Sequence, residues 1–528
     1  MPSDELSIDI EQVGPDPATL DEAVSRLLQG RHLRELLRDA SHRLVGVEWL
    51  EGARKSRESL YDALRATVYD YSNERVVRVD TRLSDLNSVK VSESSEQPLP
   101  NHEEFLDAAT RLERDEELGP MLEGGQLIPY PAMPGVLPAA YPDGRPARVL
   151  AVGVLPVSGR GPHQIVGVDM SSDRILRYEE NAPEGSVAHN PICGASYAGQ
   201  ATTSRGTPGT ANVTVTQAGK VLWRFQLVRP AASSGNMGSG VELRFVDFRG
   251  TRVLYRAHVP ILNVLYNGNV CGPYRDWQWQ EGMFEAKGSD PLPGFRLCTA
   301  PARTILESGS DQGNFRGVAI YVQGQEVVLV SEMEAGWYRY ISEWRLGSNG
   351  VIRPRFGFAA TSNSCVCTTH HHHAYWRFDF DIRSAGGNQV QEFNDPALSG
   401  GSNWHTKANE IRRFRDAARK RKWRIRNKSS GEAYDLIPGP NDGKADAYAR
   451  GDVWILRYRG SELDDGHTSI GPPTEADLDK FVNGEAVDGQ DVVVWYGGHF
   501  VHSPEEEHGA HAGHQVGPDL VPVNWRTG

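Results

Sequence analysis

Apolar positions in the first 180 residues follow helical and strand spacings by turns, and beyond about Gly185 the helical period gives way to short alternating runs. Leu27, Leu28, Leu33, Leu36 and Leu37, followed by Leu60, Leu64 and Val68, show helical spacing, which predicts helices across residues 19–70. ERVVRVDTRL then alternates as a strand. Residues 101–122 open on Asn101 and two glutamates before an apolar period, the pattern of a capped helix. RVLAVGVLPV and HQIVGVDMSSDRILRYEE read as strands. Downstream, NVTVTQ, VLWRFQLV, GVELRFVDF, TRVLYRAHV, GVAIYVQ, EVVLVS and VVVWYGG are short strands separated by Gly-, Ser- and Thr-rich turns. The predicted fold is mainly β: a large antiparallel β-sandwich over residues 185–528, preceded by small α/β domains over 1–95 and 96–184. One segment departs from this pattern. Residues 407–427 are strongly basic with helical spacing and predict a solvated or subunit-facing helix.

The most informative run is CVCTTHHHHAYWRFDFDI, residues 365–382. In a strand, His370 and His372 share one face while His371 and His373 share the other, so either pair can offer two imidazoles to one ion. The run continues with Tyr375, Arg377, Asp379 and Asp381 on one face and Trp376, Phe378, Phe380 and Ile382 on the other, predicting one buried side. Imidazole favours copper or zinc over hard cations.

Composition narrows the setting. Lys+Arg number 56 against 69 Asp+Glu, a net charge of −13, which argues against nucleic acid as the main partner and mildly favours a cationic ligand. No run of 18 apolar residues occurs and the first residues are acidic, so the expectation is a soluble, cytoplasmic protein with no membrane contact. Five cysteines, few and odd in number, suggest a reduced compartment with one disulfide left open, and Cys365 and Cys367 as bystanders to the histidines. The Gly and Ala between His508, His511 and His514 predict a solvated tail.

Three separated segments together resemble the copper amine oxidases. In that family a His-x-His strand supplies two copper ligands and runs on as Arg-x-Asp-x-Asp; His370, His372, Arg377, Asp379 and Asp381 fall in this register. The third copper histidine corresponds to His502, after the strand beginning at Asp491 and containing Trp495, with His499 as the local competitor. Asp379, Asp381 and Asp491 resemble the family's peripheral calcium site. The quinone motif Asn-Tyr-Asp/Glu-Tyr lines up with residues 337–340: Tyr338 as the precursor of topaquinone and Tyr340 as the fourth position. Trp337 stands in place of Asn, which in the family helps orient the quinone, and Arg339 in place of the acid. Upstream, Tyr266 resembles the tyrosine that hydrogen-bonds the quinone, Asp276 the catalytic base and Tyr274 the channel gate, with Trp277 and Trp279 as candidate channel walls.

The resemblance implies oxidation of a primary amine by dioxygen to an aldehyde, with ammonia and hydrogen peroxide as co-products, in a homodimer. The altered motif keeps a second reading open, a copper oxidase or oxygenase of the same fold without the quinone. A third is a non-catalytic binding subunit.

Overall fold

The computed structural model describes residues 5–50, 55, 61–157, 164–177, 193–195, 209–229, 239–267, 271, 273–276, 281–363, 365–465, 475–503 and 513–525. The chain divides into two compact units. The smaller spans Val13–Glu180 and holds two four-stranded antiparallel sheets. Helices Pro17–Leu28 and Arg31–Leu36 cover the first sheet, Leu27 and Leu33 packing on Leu64, Ala66, Val68, Val77 and Val79. His102–Leu112 covers the second, its N-terminus capped by the Asn101 side chain, which accepts from Glu104 N–H at 2.8 Å. Of the helix expected to continue through Leu60, Leu64 and Val68, Leu60 lies outside the described residues, and Leu64 and Val68 fall on the strand Ala63–Asp70. A spacing of four satisfies both periods, and Ala66 between Leu64 and Val68 completes the alternation.

The larger unit takes the remainder and also the first strand, Leu6–Gln12, which pairs antiparallel with Gly209–Gln217. The first residues therefore lie outside the small domain expected over 1–95. A ten-stranded sheet places Thr251–Tyr266, His370–Phe380 and Val492–His502 side by side at its middle. A twelve-stranded sheet carries Glu326–Ala335, Tyr338–Gly347 and Ile352–Ala360. The fold class read from the sequence, mainly β with a large sandwich, is the one observed.

Both faces of the His370–Phe380 strand are buried, not one. The second face is covered by its own apolar cluster, in which Tyr375 packs with Trp454, Leu478 and Trp495. The basic segment is not a helix: Ile411–Arg413 and Lys422–Asn427 are strands, joined through the short turn Ala417–Arg419. Its charges are engaged within the chain, Arg413 and Lys407 on Glu392, Lys422 and Arg424 on Asp435.

Candidate active site and metal centre

The site is assembled where the two sheets meet. His370 and His372 stand two residues apart on one strand, so both enter the interior between the sheets. The neighbouring strand brings its last residue, His502, directly opposite His370 in register. One ring nitrogen from each of His370, His372 and His502 lies within 4.8 Å of the others, and all three residues are buried. From the other sheet, a two-residue turn at Gly336–Trp337 joins two strands, and Gly336 adopts φ +58° at the first turn position, where an L side chain is strained. The turn sets Tyr338 as the first residue of its strand. Its Oη lies 2.7 Å from His370 Nε2 and 2.6 Å from His502 Nδ1.

The chemistry of these nitrogens suits a metal. Burial drives the His370 pKa down to about 3 and that of His372 well below its ordinary value, so both rings are neutral and carry a lone pair. His370 Nδ1 faces the carbonyl of Thr368 at 2.6 Å; a carbonyl only accepts, so the proton resides on Nδ1 and Nε2 is the lone-pair nitrogen. Both nitrogens of His372 are buried without a hydrogen-bond partner, a costly arrangement that a bound ion would relieve. Three neutral imidazoles with room for further ligands form a donor set that fits copper.

Around this cluster the expected residues take defined places. Tyr340 donates to Asp276 Oδ2 at 2.5 Å, and its ring stacks on Tyr338 at 5.1 Å and 19°. Loss of water from around the Asp276 carboxyl raises its pKa to about 7, the hydrogen bond from Tyr340 opposing only part of the rise. Tyr266 stacks on His370 at 4.8 Å, and its hydroxyl accepts from Trp337 Nε1 at 2.9 Å. Tyr274 packs edge-on against both Tyr266 and Trp337. Trp277 and Trp279 lie outside the described residues, as do His508 and His511.

Arg339, on the opposite face of the strand from Tyr338, is fully buried. It holds Asp311 through Nε and Nη2 at 2.7 and 3.0 Å and donates from Nη1 to the carbonyls of Gly336 and Tyr338. Asp379, Asp381 and Asp491 each offer an oxygen within 4.8 Å of the others.

His499, the competitor to His502, falls away, and two features depart from the sequence reading. His499 belongs to the opposite face of the sheet, where its Nδ1 meets His373 Nδ1 at 2.9 Å and its Nε2 lies 2.9 Å from Asp452. His514 is not part of a solvated tail: its ring stands edge-on to His502 at 4.7 Å. The four cysteines near the site are not free thiols. Cys193 is bonded to Cys367 and Cys271 to Cys365, leaving Cys298 as the one free thiol. A tertiary pairing across 174 and 94 residues leaves no local sequence signal.

No protein-family model matches the sequence, and no curated protein matches it. Solved structures do match. Lysyl oxidase PPLO from Pichia pastoris superposes with a TM-score of 0.58 at 13% identity, covering 97% of this chain and 89% of its own. The Aspergillus nidulans amine oxidase gives 0.55 at 13% identity over 96% and 88% of the two chains. A copper-containing benzylamine oxidase from Hansenula polymorpha gives 0.52 at 12% identity over 87% and 88%. The chain has the copper amine oxidase fold. The matches cover 87–97% of this chain. Among the described residues no helix is long and apolar enough to cross a membrane.

Proposed function

We propose that this chain is a copper-dependent oxidase of primary amines, converting amine, dioxygen and water to aldehyde, ammonia and hydrogen peroxide. The observation that carries the reading is the contact of Tyr338 Oη with both His370 and His502 at the edge of a three-histidine cluster. Copper held by His370, His372 and His502 would supply one-electron chemistry with dioxygen, both for oxidising the adjacent tyrosine to topaquinone and for returning electrons during turnover.

The remaining roles fall to the chain's own groups. Asp276, with a pKa near 7, is suited to remove a proton from the carbon beside the substrate nitrogen, since a base works best when its pKa matches the working pH. Tyr266 and Trp337, joined by their hydrogen bond, support a fixed aromatic wall beside Tyr338, and Tyr274, partly exposed, suits a gate on the approach. Asp379, Asp381 and Asp491 form an oxygen-only set suited to calcium. A homodimer is proposed on the resemblance. Two disulfides suit an oxidising compartment better than the cytoplasm expected from the sequence.

The test is direct. Copper-loaded protein incubated in air should give a Tyr338 peptide heavier by the mass of quinone formation, a positive quinone redox-cycling stain, and hydrogen peroxide on addition of a primary amine. A second reading, copper oxidation of another substrate without the quinone, is favoured by Trp337 and Arg339 at the motif positions. An unmodified Tyr338 peptide in protein that still consumes dioxygen would select it.

A further inference from the structure

Every part of the Tyr340 side chain is committed. Its hydroxyl donates at 2.5 Å to Asp276 Oδ2. The ring lies 5.1 Å from Tyr338, nearly parallel, and meets Phe356, Phe358 and His372 at 5.8, 6.1 and 5.8 Å. The residue has no exposed surface. Wedged by rings on several sides, the phenol is held in one orientation and directs its O–H at one target. The two partners come from different sheets: Tyr340 stands beside Tyr338 on the twelve-stranded sheet, while Asp276 follows the short strand Pro273–Arg275 that pairs with Thr251–Tyr266. A loop-borne carboxylate is thereby fastened to the element that carries the reactive tyrosine.

We propose that Tyr340 is the positioning residue for the base, its O–H binding Asp276 Oδ2 so that Oδ1 faces the substrate carbon at a fixed offset from the Tyr338 ring. The inference rests on Asp276 serving as the base. Among the described residues no hydrogen bond other than that of Tyr340 reaches the Asp276 carboxyl. Burial, followed by the adjacent Asp276 carboxylate, holds the Tyr340 pKa well above its ordinary value, so the phenol keeps its proton. The adjacent cation is turned away, Arg275 Nη2 lying 2.6 Å from Asp465. The hydroxyl therefore does two things. It fixes the rotamer of the carboxylate, and it favours the ionised form that can accept a proton.

The experiment uses Tyr340→Phe, which removes one oxygen and keeps the stacking ring. In metal-free protein, an infrared difference titration of the carboxyl C=O band, with Asp276→Asn as the blank, should show the Asp276 midpoint moving up from about 7 by about one pH unit, a tenfold change in its ionisation constant. In copper-loaded protein the acid limb of kcat/KM should move by the same interval. Copper stoichiometry and the mass of the Tyr338 peptide should not change. An unmoved midpoint in folded Tyr340→Phe overturns the proposal. Should that variant fail to fold, the phenol C–O stretch of labelled Tyr340 must differ between the parent and Asp276→Asn, and an unchanged band overturns it equally. A shifted midpoint without amine turnover would refute the proposed activity and leave the pairing intact; turnover with an unmoved midpoint would do the reverse.

Discussion

Tyr338 Oη and His370 Nε2 lie 2.7 Å apart although they stand on different sheets. Because His370 Nδ1 is committed to the Thr368 carbonyl, the phenol proton is donated to Nε2, the same lone pair that a metal would take. The tyrosine and the ion thus address one nitrogen. This places Tyr338 at the edge of the three-histidine cluster.

Replacing His372 by Ala should abolish stoichiometric copper binding, weakening affinity by more than the roughly 10- to 100-fold that loss of an outer-shell partner costs. Because both nitrogens of this buried ring lack a partner, its removal should leave the metal-free fold intact. Isothermal titration with copper and a melting curve of the metal-free variant check both halves.

Tyr338→Phe should retain copper yet produce neither quinone nor peroxide. The measurement is copper content by mass spectrometry alongside amine-dependent dioxygen uptake. Activity surviving in this variant would transfer the chemistry to the copper-only reading.

Thiol titration of the denatured, unreduced chain should find one reactive cysteine, Cys298, out of the five in the sequence. The bond between Cys271 and Cys365 closes a loop of 94 residues. Closure of a loop near that size is worth about 4–5 kcal/mol in the chain-entropy model. Cys271→Ser with Cys365→Ser should lower the thermal midpoint accordingly. Both ends of this bond adjoin the site, Cys271 before Asp276 and Cys365 before His370, so loss of activity should precede global unfolding.

Arg339→Met should be strongly destabilising, by about 3–5 kcal/mol, because Asp311 and Glu334 would keep buried charges without their counter-ion. Denaturant melts give the difference. A near-neutral result would contradict the counter-ion role of Arg339.

Stability should fall as pH rises from about 6.5 to 8; below that window the buried histidines, whose pKa values are lowered, contribute the opposite slope. Burial raises Asp276 to about 7 and Glu332 to about 8, so both bind a proton in the fold at a pH where the unfolded chain has released it. Their contribution is complete below the ordinary carboxyl pKa and is lost as pH passes through 7 and 8. Asp276→Asn and Glu332→Gln should each flatten the thermal midpoint against pH. A wild-type profile that is level across this range would contradict the burial of these two groups.

Local pattern alone carried much of this. The alternation through 370–382 determined the strand, the pairing of His370 with His372 on one face, and the division of aromatic from acidic positions. Strand recurrence beyond Gly185 determined a β-rich unit. Other features were ambiguous for a physical reason: Leu60, Leu64 and Val68 satisfy two periods at once, and the basic run 407–427 finds its carboxylate partners on other strands, so its charges gave no local sign of burial.

The sequence by itself thus determined which residue types could ligate, donate and abstract protons, and the face each would occupy on its own strand, because backbone geometry fixes those relations over a few residues. The family resemblance matched His502 over His499, but only the tertiary structure decided that its ring meets those of His370 and His372, that the cysteines are paired, and that Tyr340 reaches Asp276. Each of these depends on strand register and on how two sheets stack, and contacts across tens to hundreds of residues are set by burial of the whole core.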